Sequence, residues 1–161
     1  KKQPQQAEEY LNRLSTFLRT SIQHAKENKL SIKEELDFCL DYLALQKVRF
    51  GEALQYEINL PKSVSAHAAL PIFTLQSLAE NAIKHNALSK TKPLYLSINY
   101  SEDGWICVQN NIIPKRHQED STGFGLENLK ERFRLLQKTE PRIKISEDKQ
   151  CFLVYLPTLS L

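Results

Sequence analysis

Methionine is absent from all 161 residues, and the chain opens on lysine. The expectation is a cytoplasmic fragment of a longer protein. Cysteine occurs only at Cys39, Cys107 and Cys151, an odd count with no CxxC pair. That spacing argues against a disulfide framework or a thiolate metal site. Apolar neighbours around each cysteine point instead to buried free thiols in a reducing compartment. No run approaches the roughly 18 apolar residues of a membrane span, and no stretch has the pattern of a secretory leader. No direct membrane contact by this segment is therefore expected. A strong charge of one sign is lacking too: 22 basic and 19 acidic residues leave a net charge of +3. That is too little to attract nucleic acid on electrostatic grounds. Lys115 and Arg116 do cluster, but Glu119 and Asp120 follow closely, as in a solvated loop.

What is present fits a globular domain with an appended helical segment. Hydrophobic residues make up 41% and charged residues 25% of the chain, enough for a core without metals or disulfides. Leu11, Leu14, Leu18, Ile22 and Ala25 form the stripe of an amphipathic helix. Ser31 with Glu34 is a capping-box pattern, which opens a second helix carrying Leu36, Leu40 and Leu43 and ending near Phe50-Gly51. The two helices need a partner for their apolar faces: each other, and a second subunit. From Leu54 the rhythm alternates, predicting a strand that ends before Pro61. Pro71 is expected to start a helix through about Ala87. Strands follow at Leu94 to Tyr100 and Trp105 to Asn110, joined by a turn at residues 101–104. A polar loop over residues 111–122 leads to a helix from about Gly125 to Gln137. Arg142 to Glu147 and Cys151 to Leu156 make a final strand pair. This order predicts an α+β fold, a mixed sheet covered by helices on one face, with a helical hairpin in front. The expected division is a helical segment at residues 1–50 and a second unit at 51–161.

Three motifs could carry chemistry. On the helix after Pro71, Ser77, Asn81, Lys84 and His85 share one side, while Leu75, Leu78, Ala82 and Ile83 form an apolar side. The amide oxygen of Asn81 suits Mg²⁺, a hard cation that takes oxygen ligands, and Lys84 one turn on could neutralise phosphate. The bland account is an exposed face with a Glu80–Lys84 ion pair, and periodicity alone favours it. Ser121-Thr122-Gly123-Phe124-Gly125-Leu126 runs into a helix, where glycines permit close approach and unpaired amides attract anions. It reads equally well as a flexible loop. Asn110-Asn111 at a strand exit could pair with a purine edge, although asparagines are also common turn formers.

In this order the three motifs resemble the N, G1 and G2 boxes of GHKL (Bergerat) ATPases, a two-layer α/β sandwich. More narrowly, the chain resembles the LytS-type sensor histidine kinases. The signatures are Leu14-Ser15-x-x-Leu18-Arg19, Glu34-Glu35-Leu36, Tyr42-Leu43, Gln46-Lys47-x-Arg49-Phe50, Leu75-Gln76 and Glu80-Asn81-Ala82-Ile83-Lys84-His85. Thr122-Gly123-x-Gly125-Leu126-x-Asn128-Leu129-x-Glu131-Arg132 completes the set.

The resemblance implies an ATP-binding catalytic domain that transfers the γ-phosphoryl group to a histidine outside the chain. It implies ATP and Mg²⁺ as cofactors. Asn81 would hold Mg²⁺, with Glu80 beside it to polarise the incoming imidazole. Lys84 and His85 would contact phosphate, and Asn110 would receive the adenine amino group. Thr122, Gly123, Gly125 and Leu126 would form the lid over the triphosphate. Implied partners are a second copy of a membrane-anchored parent and a response regulator with a receiver domain. The match departs in two places. The G1 box here is Asn110-Asn111-Ile112-Ile113-Pro114, without its aspartate or glycines, and no Pro-His-Phe phosphoacceptor motif occurs. The alternative reading is a pseudokinase-like module for dimerisation and docking. Hydrolytic relatives of the fold carry an acid four residues before the metal-binding asparagine, and Ser77 stands there instead.

Overall fold

The computed structural model describes residues 2–101, 103–115, 124–137 and 139–161. Helix α1 (Lys2–His24) and helix α2 (Ile32–Phe50) form the hairpin, joined through the short strand β1 (Lys29–Ser31). The start of α2 is set by its sequence. The Ser31 side chain accepts from the Glu34 amide while the Glu34 carboxylate accepts from the Ser31 amide, a complete capping box. Replacing Ser31 with Ala is expected to cost about 1 kcal/mol in a thermal or urea unfolding experiment. An unchanged midpoint would mean that tertiary packing alone holds the start of α2.

The hairpin closes through aromatic rings. Phe17 stacks on Phe38 at 4.6 Å between centroids and lies 6.1 Å from Tyr42. This contact turns the half-buried residues Leu14, Phe17 and Ser21 toward α2. The outer members of the sequence stripe consequently face out: Leu11 is 62%, Leu18 51% and Ile22 76% exposed.

A five-stranded sheet follows, in the order β2-β4-β5-β7-β6. Its strands are β2 (Leu54–Asn59), β4 (Leu94–Tyr100), β5 (Ile106–Asn111), β6 (Arg142–Ile145) and β7 (Cys151–Leu156). Only β2 and β4 run parallel, so the sheet is mixed. The register places Leu96 opposite Asn110, Ile98 opposite Val108, and Val108 opposite Val154. Alternation then sends Leu94, Leu96, Ile98, Ile106, Val108, Val154 and Leu156 to one buried face. Against them pack Leu75, Leu78, Ala79 and Ala82 of α4 (Thr74–His85) and Leu129 and Phe133 of α5 (Phe124–Leu136). Ile32, Cys39 and Leu43 of α2 join the same core. On the opposite face, Arg142 lies over Trp105 at 4.3 Å and Lys144 over Tyr155 at 5.6 Å. The architecture is α+β, two layers with a mixed sheet preceded by a helical hairpin, as expected for the GHKL type.

Some local details differ from the sequence expectation. Pro71 does not open a helix; it ends a strand, β3 (Ala68–Pro71), which follows a short helix α3 (Lys62–His67). β3 lies between β1 and β8 (Leu159–Ser160) in a second, three-stranded sheet. Strands of two to four residues carry too little alternation to read from sequence. Helix α4 begins three residues after Pro71, once Phe73 has turned the chain with a φ of 59°. Among the described residues no helix is long and apolar enough to cross a membrane.

Candidate functional site

Helix α4 carries the site, and its start is held from outside. Its N-cap position, Phe73, makes no side-chain capping bond. The missing acceptor comes from α2, where Glu35 is completely buried. One oxygen of its carboxylate accepts from the Phe73 amide, and the other accepts from the Leu75 amide at 3.0 Å. Orphan amides at a helix start and the positive end of its dipole both favour such an acidic partner. Arg132 on α5 grips the same segment, donating to the Ile72 carbonyl at 2.5 Å, and Thr74 donates to the Pro71 carbonyl at 2.6 Å. Burial pushes the Glu35 carboxyl up to about 7, against the pull of three backbone amides and of the Arg132 charge. Burial likewise lowers the Arg132 pKa, which Glu35 partly restores.

At its other end α4 is tied to the strand exit. Asn86 is buried, donates to the Ala82 carbonyl at 2.8 Å and accepts from the Ile113 amide at 2.6 Å. Between these ties, α4 and α5 enclose an open cavity of about 500 Å³. Ser77, Glu80 and Asn81 line it from α4; Gly125, Asn128, Glu131, Arg132 and Leu135 line it from α5. Gly125 of α5 meets Asn81 of α4 at this cavity. A β-carbon built on Gly125 would stand 3.4 Å from both terminal atoms of the Asn81 amide.

Three sequence-predicted residues, Glu80, Asn81 and Gly125, therefore meet at one cavity. Lys84 and His85 lie one turn further along α4, exposed and outside its lining. Leu126 turns inward and packs against the core. Asn110 is buried on the helix-covered face of the sheet, donates to the Asn111 carbonyl at 2.7 Å, and does not line the cavity. Thr122 and Gly123 lie outside the described residues.

In the sequence Glu35, Glu131 and Arg132 stand only as members of motifs, with no role of their own to be read there. For Glu35 a signal existed: Ile32, Glu35, Cys39 and Leu43 recur on one helical face, and a carboxylate within an apolar stripe demands a partner. Chemically, the cavity offers hard oxygen donors from Asn81, Glu80 and Glu131, of the kind Mg²⁺ takes, together with one guanidinium suited to phosphate oxygens.

The histidine kinase family model matches residues 1–54, which include the helical hairpin. The sensor protein LytS of Streptococcus mutans is 30% identical over 155 residues, covering 87% of this chain and 26% of that protein. The sensor histidine kinase YesM of Bacillus subtilis is 33% identical over 140 residues, covering 83% of this chain and 24% of that protein. The sensor histidine kinase BtsS of Escherichia coli is 29% identical over 136 residues, covering 80% and 24%. Among solved structures, a blue-light activated histidine kinase of Erythrobacter litoralis aligns with a TM-score of 0.48 at 10% identity, covering 92% of this chain and 47% of that chain. Over most of its length the chain is similar to LytS-type sensor proteins, consistent with the C-terminal region of a sensor histidine kinase of that type. It spans about a quarter of the length of the curated relatives it matches.

Proposed function

We propose that this chain is the ATP-binding catalytic part of a two-component sensor histidine kinase and passes the γ-phosphoryl group of ATP to a histidine outside the chain. Residues 51–161 would form the nucleotide-binding unit, and residues 1–50 its helical connection to the rest of the kinase. The observation that carries this reading is the cavity between α4 and α5, where Asn81 faces Gly125 beside Glu80, Glu131 and Arg132.

In this reading Asn81 holds Mg²⁺, helped by the neighbouring carboxylates. The ion would supply charge neutralisation at the phosphates, the dominant need in phosphoryl transfer. Lys84 and His85, exposed on the next turn, supply further contacts to phosphate. Glu80, at the cavity lining, orients and polarises an incoming imidazole. Asn110 receives the adenine amino group through its side-chain oxygen, consistent with a side chain whose NH₂ is engaged by Asn111. Thr122, Gly123, Gly125 and Leu126 belong to the closing lid, in which glycine permits close backbone approach to phosphate. The exposed Leu11, Leu18 and Ile22 suit a second copy of the kinase, and a response regulator with a receiver domain would accept the phosphoryl group. The site is assigned to the cytoplasmic side of a membrane-anchored parent.

Calorimetric titration with a non-hydrolysable ATP analogue, with and without Mg²⁺, tests the reading. Mg²⁺-dependent binding is expected, and Asn81→Ala should weaken it more than tenfold. If Asn81→Ala binds Mg-nucleotide as the unaltered chain does, the metal-binding role fails. A second reading, a docking module without productive nucleotide binding, is favoured by the G1 box without glycine and by Asn110 lying outside the cavity. It predicts a folded chain with no binding at millimolar nucleotide.

A further inference from the structure

The link between the helical hairpin and the cavity runs through one turn of α2. Glu35 and Phe38 lie three residues apart and face the same short segment, 72–75. Glu35 accepts from the Phe73 and Leu75 amides, and the Phe38 ring lies 4.8 Å from the Phe73 ring. Phe38 in turn stacks on Phe17 of α1, so the aromatic chain runs from α1 through α2 to the entrance of α4. From the other side Arg132 holds the Ile72 carbonyl and also lines the cavity. The segment between these grips contains Phe73 at a positive φ, a conformation that a non-glycine residue keeps only when its surroundings impose it. Asn81 sits two turns further along the same rigid helix, in close approach to Gly125.

We propose that Glu35 is a positioning residue for the nucleotide cavity: with Arg132 it clamps the entrance of α4, so the hairpin determines where Asn81 stands relative to Gly125. This rests on the cavity being the nucleotide site. Glu35 does not line the cavity, so any effect it has on binding passes through α4. Movement of α2 relative to α5 is thereby converted into displacement or rotation of α4, a physical route from hairpin to site. Helix α4 transmits it because its far end is pinned too, through Asn86. A carboxyl group suits the grip, since each of its two oxygens can accept from one amide. Glutamine would place an NH₂ against one of those donors.

The test compares Glu35→Gln, Arg132→Lys and the double variant in the full chain with Ile98→Ala, a core truncation on β4 away from the clamp. Each is checked for a folded spectrum and then titrated with Mg²⁺ and the non-hydrolysable ATP analogue. Glu35→Gln is expected to lose at least tenfold in affinity while Ile98→Ala stays within twofold. The double variant should fall short of the product of the single losses. In parallel, the Asn81 side-chain amide resonances should shift in Glu35→Gln and not in Ile98→Ala. Affinity within twofold in a folded Glu35→Gln overturns the proposal, as does an equal loss in Ile98→Ala. Should the unaltered chain bind no nucleotide, the reading of the cavity falls by itself. The Asn81 resonances then decide the clamp, and unchanged shifts in Glu35→Gln sink it.

Discussion

Glu35→Ala is expected to destabilise the fold by about 3–5 kcal/mol at pH 5, because it orphans buried amides and leaves a void between three helices. The side chain is wholly buried and both of its oxygens accept from the chain entering α4. Alanine restores neither bond. The same residue sets a pH dependence. Unfolded, its carboxyl titrates near 4.5; folded, burial holds it at about 7. The folded state therefore binds the proton more tightly. The group's stabilising contribution is whole below pH 4.5 and is lost as pH rises through 7, a change of about 3 kcal/mol. Urea unfolding of both proteins at pH 5 and pH 8 should show the gap between them narrowing by about that amount. Parallel stability curves across this window would mean that Glu35 does not change protonation between the folded and unfolded states.

Gly125→Val should lower nucleotide affinity more than 100-fold while leaving stability within about 0.5 kcal/mol of the unaltered chain or slightly above it. The two effects separate for a geometric reason. A β-carbon at Gly125 just reaches ordinary contact with the Asn81 amide, at 3.4 Å from each terminal atom. Alanine is therefore tolerated, and Gly125→Ala should bind within about threefold. The two γ-carbons of valine extend further, into the space that the Asn81 oxygen and its ligand would share. The helix itself does not suffer, since glycine is among the weakest helix formers. Titration calorimetry and thermal unfolding on the same samples read both quantities. Undiminished binding by Gly125→Val would show that the approach of α5 to Asn81 is not where the nucleotide sits.

The covered face of the sheet and the identity of its helices were legible in the order of residues. Alternation at Leu54, Tyr56 and Ile58, and the 3.6-residue stripe of α4, are local properties. So is the Ser31–Glu34 capping box, whose partners lie three residues apart. The motif around Asn81 was equally legible, because its meaning depends on residue types at fixed spacing. Pro71 misled because a proline suits both the first turn of a helix and the end of a strand. The choice was made by pairing with β1 and β8, which no local pattern encodes.

By itself, then, the sequence determined the α+β class, the capped hairpin and the placement of Asn81 and Gly125 on two separate helices. Only the tertiary structure decided that those two residues meet, that Leu11, Leu18 and Ile22 face outward, and that Glu35 caps a helix 40 residues away. The physical reason is common to all three. Each outcome depends on which face of a helix is turned toward which neighbour, and that is settled by long-range packing: Phe17 on Phe38, Phe38 on Phe73, and a buried carboxylate seeking the nearest amides.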